Sequence, residues 1–230
     1  MTTVALVHGA FHGAWCFDRL LPELAARGLR PLAIDLPKDD PAAGNIRNAE
    51  VIIEALRDAG DDVLLVGHSL AGLTVPLVAA QRPLRRLVYL CALIPQPGKS
   101  GFDWIPAAGV PMFDWGAHQI DHGDGTTSWD LARGAGMFVN ECSAADAAWA
   151  ASHLGRQASL PSTEPCPLAA LPTVPSAYIL CSNDLVISPA WSRQAAREQL
   201  GCEPIELAAD HSPFLSQPGL LADTLARLAA

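Results

Sequence analysis

One serine stands where a buried strand is expected to turn sharply into a helix. Residues 63–66 predict the strand and residues 69–81 the helix. Such a turn lifts the hydroxyl of Ser69 above the end of the sheet and aims the free N–H groups of the helix N-terminus at it. The usual pattern is Gly-x-Ser-x-Gly, whereas here Ala71 holds the last position and Gly72 follows it. Because that position needs only a small side chain, we interpret Ser69 as a nucleophile; the alternative is an ordinary serine capping a helix.

A nucleophilic serine needs a histidine as base and a carboxylate as acid. When the serine lies on such a turn, the acid comes next along the chain and the histidine comes last. His211 is the only histidine after residue 153, in a loop that follows the last predicted strand. Asp184 follows the strand predicted at residues 177–181, so both would lie at the carboxyl edge of the sheet. Asp210 is the rival acid, but a sequence neighbour of the base usually points elsewhere. Alternatively, His211 is a surface loop residue and Asp184 a turn residue.

The loop after the first predicted strand supplies a site for negative charge. Gly9 lets the backbone approach the serine closely, and the N–H of Ala10 can pair with the N–H of Leu70. Two converging N–H groups would stabilise an oxyanion, although the loop can also be read as a plain glycine turn. We predict structural roles for the other histidines of the two loops, His8, His12 and His68.

Short apolar runs alternate with helix-like stretches through most of the chain, which predicts a parallel sheet covered on both faces. Between residues 95 and 170 the pattern gives way to a segment rich in Pro, Gly and Trp. We predict a core at 1–94 and 171–230, and an inserted, mainly helical cap at 95–170 whose clearest helix is 143–154. The six predicted strands are 3–7, 31–34, 63–66, 86–90, 177–181 and 204–207, with helices at 16–27, 46–59, 69–81, 189–200 and 218–228.

Aromatic residues in the cap and in the first loop could line an apolar substrate pocket. A single tryptophan belongs more often to the core than to a ligand site, so core packing is the alternative for each of them. The predicted pocket residues are Phe11, Trp104, Trp115, Trp129 and Phe138.

Composition narrows the class of protein. The 230 residues carry a formal net charge of −9 without a basic stripe, which argues against a nucleic-acid partner. No apolar run is long enough for a membrane span, and we expect a cytoplasmic protein. The six cysteines and seven histidines show no metal-binding spacing, so no metal is expected. Acyl transfer by a serine needs no cofactor, and none is expected. A homodimer is left open.

Four segments together resemble the plant-type methylesterase and hydroxynitrile lyase branch of the α/β-hydrolases, which also has bacterial esterase members. They are residues 7–16 (VHGAFHGAWC), 67–72 (GHSLAG), 183–184 (ND) and 210–218 (DHSPFLSQP). The resemblance covers both ends of the chain and is weak across the cap. It implies an α/β-hydrolase fold with a six-stranded parallel sheet, the triad Ser69, Asp184 and His211, and an oxyanion pair from Ala10 and Leu70.

Two positions bear on the choice between esterase and lyase within this resemblance. Similar lyases carry Thr where Gly9 stands and Lys where Ser212 stands, and that Lys would stabilise departing cyanide. The expected function is therefore a carboxylesterase that cleaves a small, neutral, apolar or aromatic ester through an acyl-enzyme. The alternatives are a hydroxynitrile lyase or carbon–carbon bond hydrolase on the same triad, and a non-catalytic small-molecule receptor.

Overall fold

The computed structural model describes the backbone of all 230 residues and every side chain except that of Ala135. Most predicted strands and helices are present within a few residues of their expected ends. The strands are β1 (Thr3–Val7), β2 (Arg30–Ile34), β3 (Val63–His68), β4 (Arg86–Leu90), β5 (Gln119–Asp121), β6 (Thr126–Trp129), β7 (Gln157–Ala158), β8 (Ser176–Cys181) and β9 (Ile205–Leu207). The helices are α1 (Leu20–Ala26), α2 (Asn45–Ala55), α3 (Val75–Ala79), α4 (Gly101–Trp104), α5 (Leu131–Gly134), α6 (Ala144–His153), α7 (Leu160–Thr163), α8 (Pro189–Leu200), α9 (Pro213–Ser216) and α10 (Pro218–Ala229).

Six parallel strands form the central sheet in the order β2-β1-β3-β4-β8-β9. Every residue of β1 and β3 is buried, as expected for strands covered on both faces. Right-handed crossovers place α1 on one face, and α2, α3 and α8 on the other, because only the β1-to-β2 step runs in the opposite direction along the sheet. Helix α10 packs against α1, and α2 against α3.

Two predicted helices begin differently in the structure. The chain after Ser69 first forms a 3-10 helix over Ser69–Leu73 and becomes α-helical only at Val75. Likewise, a 3-10 turn over Ala14–Phe17 precedes α1, where one continuous helix was expected. The 3-10 helix at Ser69 follows β3 directly, whereas the 3-10 turn at Ala14 is separated from β1 by a loop. In both, the backbone closes i-to-i+3 bonds before the α-helix begins.

The segment between β4 and β8 contains helices α4 to α7 and also a three-stranded antiparallel sheet, β5-β6-β7. The sequence analysis did not include this sheet. Its hairpin turns at Gly123 and Gly125, whose φ angles are 72° and 87°. Between them the Asp124 carboxylate accepts from the N–H of Thr126 at 3.0 Å. No helix of the described chain is both long and apolar enough to cross a bilayer.

Candidate active site

Backbone strain is concentrated at the carboxyl ends of three neighbouring strands. Phe11, Ser69 and Cys91 follow β1, β3 and β4, and are the three non-glycine residues described with positive φ, at 64°, 54° and 44°. A side chain in this conformation costs about 1–2 kcal/mol, so surrounding contacts must hold it. At Ser69 one such contact is the N–H of Leu93, which donates to the serine carbonyl at 3.1 Å. The predicted sharp turn at Ser69 is therefore present.

The first loop packs directly against the serine. A Cβ placed on Gly9 would lie 2.7 Å from the Cβ of Ser69 and 2.9 Å from Nδ1 of His68. Real Cβ atoms do not approach other atoms so closely, so any larger residue would push the two loops apart. Glycine at this position follows from the close approach of the loops, as the sequence analysis expected.

Asp184 and His211 form a buried acid–base pair. Nδ1 of His211 lies 2.7 Å from Oδ2 of Asp184, and the two side chains are 0% and 3% exposed, respectively. The other oxygen, Oδ1, accepts from the N–H groups of Val186 at 2.7 Å and Ile187 at 3.0 Å. Because a carboxylate only accepts, Nδ1 carries the proton and Nε2 is the basic nitrogen. Nε2 is buried and has no hydrogen-bond partner among the described residues, so it is free to take a proton.

A second histidine links the loop that carries His211 to the serine turn. Nε2 of His68 donates to the carbonyl of His211 at 2.9 Å, and the two rings are 4.7 Å apart. His68 immediately precedes Ser69, so this bond ties the histidine loop to the turn that carries the serine. Burial holds the pKa of His68 well below its ordinary value, and the nearby His211 adds to the effect. His68 is thus a neutral donor that positions the base.

Asp210, the rival acid, faces away from the imidazole. Its Oδ1 accepts from the N–H of Ser212 at 3.1 Å and the hydroxyl of Ser216 at 2.7 Å. Its Oδ2 accepts from the N–H of Glu141 at 3.0 Å. These bonds stabilise the loop around His211 and connect it to Glu141 in the segment between β4 and β8. This is the structural role that the sequence analysis expected for Asp210.

The two N–H groups predicted to hold an oxyanion are unengaged. Neither the N–H of Ala10 nor that of Leu70 donates to an acceptor among the described residues. Gly9 and Leu70 line one narrow cleft, together with Gln157 of the inserted segment. An unpaired backbone N–H is uncommon away from water, so these two donors are available to a bound anion.

Three histidine side chains bond the backbone around this site. His8 donates from Nδ1 to the carbonyl of Gly9 at 2.9 Å, and its Nε2 accepts from the N–H of Leu36 at 3.0 Å. His12 donates from Nδ1 to the carbonyl of Ala10 at 2.7 Å. His8, His12 and His68 therefore have the structural roles that the sequence analysis predicted for them.

The buried imidazole of His12 should make folding stability depend on pH. Burial lowers the pKa of His12 to about 3, against the raising effect of its bond to Ala10. Below about pH 6.5 the unfolded chain binds a proton there that the folded chain does not, so stability falls as pH falls from about 6.5 toward 3. The slope for one such group is at most about 1.4 kcal/mol per pH unit.

We expect His12→Asn, which keeps a donor for Ala10 but cannot titrate, to flatten this slope between pH 6.5 and 5. Urea unfolding across that range measures it, with His122→Asn on the exposed surface as the control. An unchanged slope in His12→Asn would contradict the assignment of a neutral buried His12.

Aromatic rings cover the imidazole of His211. Phe138 lies 6.0 Å from it, and Phe11 and Trp129 pack beside Phe138 with centroids 6.5 and 4.8 Å from it, respectively. Trp115 instead donates from Nε1 to the carbonyl of Val186, in the loop that carries Asp184. The remaining member of the predicted set, Trp104, stacks on Trp191 of α8 at 6.0 Å. The structure thus brings Phe11, Trp129 and Phe138 together at the site.

The inserted segment is hydrogen-bonded to the first loop, to the Asp184 loop and to the His211 loop. Gly155 and Gln157 bond Phe11 of the first loop. The side chain of Asn140 donates to the carbonyl of Asn183, beside Asp184, at 3.1 Å. Glu141 bonds Asp210 of the histidine loop, as described above. The sequence did not reveal Gln157, because a lone glutamine in a segment without clear periodicity carries no signal.

One set of three side chains among the described residues has the spacing of metal ligands. It comprises Cys91, Asp184 and His211, whose ligand atoms lie within 4.8 Å of one another and are all buried. Two of these atoms are bonded to each other, so a metal ion could bind here only by breaking the Asp184–His211 bond. We therefore interpret these three residues as the Cys91 thiol packed against the bonded pair of Asp184 and His211. Burial raises the pKa of the Cys91 thiol well above its ordinary value, which keeps it neutral.

Comparisons with known proteins agree with this architecture. Residues 4–224 match the sequence profile described as "Alpha/beta hydrolase family". The chain is 28% identical over 246 residues to a pyrethroid hydrolase from Sphingobium wenxiniae, covering 100% of this chain and 88% of that protein. It is 34% identical over 119 residues to Methylesterase 3 of Arabidopsis thaliana, covering 44% of this chain and 43% of that protein.

A solved structure shows the same fold. The crystal structure of a pyrethroid hydrolase from Sphingobium faniae JZ-2 superposes with a TM-score of 0.83 at 24% identity, covering 99% of this chain and 97% of that one. Plant methylesterases are among the relatives, so the resemblance stated from the sequence is confirmed. The predicted fold class is confirmed as well. The chain belongs to the α/β-hydrolase family.

Proposed function

We propose that this protein is a carboxylesterase with the triad Ser69, His211 and Asp184, acting on a small, neutral ester. The observation that carries the proposal is the buried 2.7 Å bond between Asp184 and His211, which leaves Nε2 as a base beside the strained serine turn. A neutral imidazole with its second nitrogen fixed by a carboxylate is what serine activation requires.

The reaction proceeds in two steps of acyl transfer. Nε2 of His211 takes the proton of Ser69 as the serine oxygen attacks the ester carbonyl, and the C–O bond to the alcohol then breaks as His211 returns the proton to the leaving alcohol. Water, deprotonated by His211, then attacks the acyl-serine and releases the acid and free Ser69. Asp184 stabilises the imidazolium formed in each step. The N–H groups of Ala10 and Leu70 hold the oxyanion of both tetrahedral intermediates.

The surroundings favour an uncharged substrate with an apolar or aromatic part. Phe11, Trp129 and Phe138 offer ring surfaces next to His211. The net charge of −9 disfavours an anionic substrate. Relatives include a pyrethroid hydrolase and a plant methylesterase, which agrees with ester hydrolysis. We assign residues 95–170 as the cap that covers this site.

The lyase alternative receives no support from the two positions that distinguish it, Gly9 and Ser212. Similar lyases carry Thr where Gly9 stands, and even a Cβ at Gly9 would collide with Ser69. Where those lyases carry Lys, this chain has Ser212, which is fully buried. Position 212 therefore does not supply the cation that would stabilise departing cyanide in those lyases.

Two assays test the proposal on the purified protein. A fluorophosphonate probe should label it once, at Ser69 by peptide mass spectrometry. A panel of neutral p-nitrophenyl esters of increasing acyl length, run beside aromatic methyl esters, should show turnover. Absence of both labelling and turnover would favour a non-catalytic receptor, whereas release of cyanide from a cyanohydrin without ester turnover would favour a lyase.

A further inference from the structure

The first loop, which carries the proposed oxyanion donor, is held in an unfavourable backbone conformation by residues of another segment. Phe11, one residue after Ala10, has a φ of 64° although its side chain is large. A bulky residue does not keep this conformation without contacts that over-determine it. Both polar groups of the Phe11 backbone are bonded, and both partners lie between residues 155 and 157.

Two residues make these bonds. The N–H of Phe11 donates to Oε1 of Gln157 at 3.3 Å, and the carbonyl of Phe11 accepts from the N–H of Gly155 at 2.8 Å. Next to them, the N–H of Ala158 donates to the carbonyl of Lys38 at 2.5 Å. We call residues 155–158 the strap, since they bind the inserted segment to the first loop and to the loop after β2.

Gln157 is itself fixed in orientation. It is 7% exposed, and its Nε2 donates to the carbonyl of Ala158 at 3.1 Å. Because the Phe11 group is an N–H donor, the atom that faces it must be the amide oxygen. A buried amide with both ends engaged keeps one rotamer, so it can hold its partner in place rather than follow it.

Consecutive peptide groups around the oxyanion donor are anchored. The carbonyl of Gly9 accepts from His8, the carbonyl of Ala10 from His12, and the N–H of Phe11 donates to Gln157. The donor N–H of Ala10 belongs to the first of these peptides. The Ala10–Phe11 peptide is held at its carbonyl by His12 and at its N–H by Gln157. If the bond to Gln157 is lost, relaxation of Phe11 toward negative φ pulls on this peptide and displaces the Cα of Ala10. The N–H of Ala10 is attached to the other side of that Cα and shifts with it.

We propose that Gln157 is a positioning residue for the oxyanion hole, through which the strap holds the N–H of Ala10 in its catalytic orientation. This inference rests on the proposed esterase function. It makes the inserted segment a part of the catalytic apparatus as well as a cover for the substrate.

The test compares two substitutions at one position. Gln157→Leu removes the acceptor with little change in volume, and Gln157→Glu keeps an acceptor for Phe11. Gln119→Leu, in the same antiparallel sheet and half-buried, is the matched control. For each variant, kcat and KM are measured on a neutral p-nitrophenyl ester, with the inhibition constant of a trifluoromethyl ketone, which forms a tetrahedral adduct, and the melting temperature.

We expect Gln157→Leu to lower kcat roughly tenfold and to raise the inhibition constant of the ketone roughly tenfold, with KM within about twofold of the wild type. The effect is smaller than the loss of an oxyanion donor because the N–H of Ala10 is displaced but still present. Gln157→Glu keeps the acceptor for Phe11 but loses the donor to Ala158, so it should recover part of both, and Gln119→Leu should match the wild type. A purely structural role would lower the melting temperature or the fraction of active enzyme without this split between kcat and KM.

Three results would overturn the inference. The first is an unchanged kcat in Gln157→Leu while Ser69 still reacts with the fluorophosphonate, which leaves the proposed function intact. The second is an equal loss of kcat in Gln157→Glu. The third is a wild type without ester turnover or labelling, in which case the proposed function fails and this inference with it. If Gln157→Leu does not fold, Gln157→Asn, which is too short to reach Phe11, replaces it.

Discussion

Replacing Ser69 with alanine is expected to reduce ester turnover by about 10⁴- to 10⁶-fold. Without the hydroxyl no acyl-enzyme forms, and only the oxyanion donors and the basic Nε2 of His211 remain to promote direct attack by water. Ser69 is half-buried and its side chain makes no described hydrogen bond, so the variant should fold normally. Steady-state hydrolysis of a p-nitrophenyl ester measures the loss, and circular dichroism checks the fold.

Ser212 provides the matched control, because it is a second serine beside His211. Its hydroxyl is buried and has no hydrogen-bond partner among the described residues. Ser212→Ala should stay within a few-fold of wild-type turnover. If Ser69→Ala keeps near-normal activity while Ser212→Ala loses it, the nucleophile has been assigned to the wrong serine.

Asp184→Asn is expected to lower kcat by about 10⁴-fold with little change in fold. The Oδ1 atom of Asp184 accepts from the N–H groups of Val186 and Ile187, so the oxygen of an introduced asparagine would take that place. Its NH₂ group would then face Nδ1 of His211 and donate to it. The imidazole proton would move to Nε2, which could no longer act as a base toward Ser69.

Asp210→Asn separates the two candidate acids. Asp210 accepts from Ser212, Ser216 and Glu141, so an amide there removes one acceptor from a buried network. We expect a loss of about 1–3 kcal/mol in the free energy of unfolding, with kcat per folded molecule reduced by far less than in Asp184→Asn. Urea unfolding and active-site titration give both quantities. A larger loss of kcat in Asp210→Asn than in Asp184→Asn would reverse the assignment.

Aligned strand ends explain how distant residues meet at this site. The register pairs Val7 with Gly67 and His68 with Leu90, and on the far side of the sheet Cys181 with Leu207. Each strand therefore ends at nearly the same height, and the loops that follow share one edge. A parallel sheet brings together whatever residues come directly after its strands.

Local sequence signals were enough to predict the strands of the central sheet and the turn at Ser69. A run of buried apolar residues followed by small residues at a turn predicts β3 and the strained position of Ser69, because strand and turn formation depend on near neighbours in sequence. His211 and Asp184 could be selected because each follows a strand, and the order of strands limits the candidates. The hairpin of the inserted segment had turn residues at 123–125, but three short strands produce too little periodicity to predict a sheet.

Long-range contacts decided what the sequence left open. Whether Asp184 or Asp210 bonds the imidazole depends on where each carboxylate points, which the turn at Val186 and Ile187 settles in three dimensions. The bond between Phe11 and Gln157 joins residues 146 positions apart. The sequence by itself determined the sheet and the serine turn, since these arise from local periodicity and turn chemistry. The tertiary structure alone established the bond between Asp184 and His211, the aromatic cluster and the anchoring of the first loop, because packing between distant segments leaves no periodic trace in the chain.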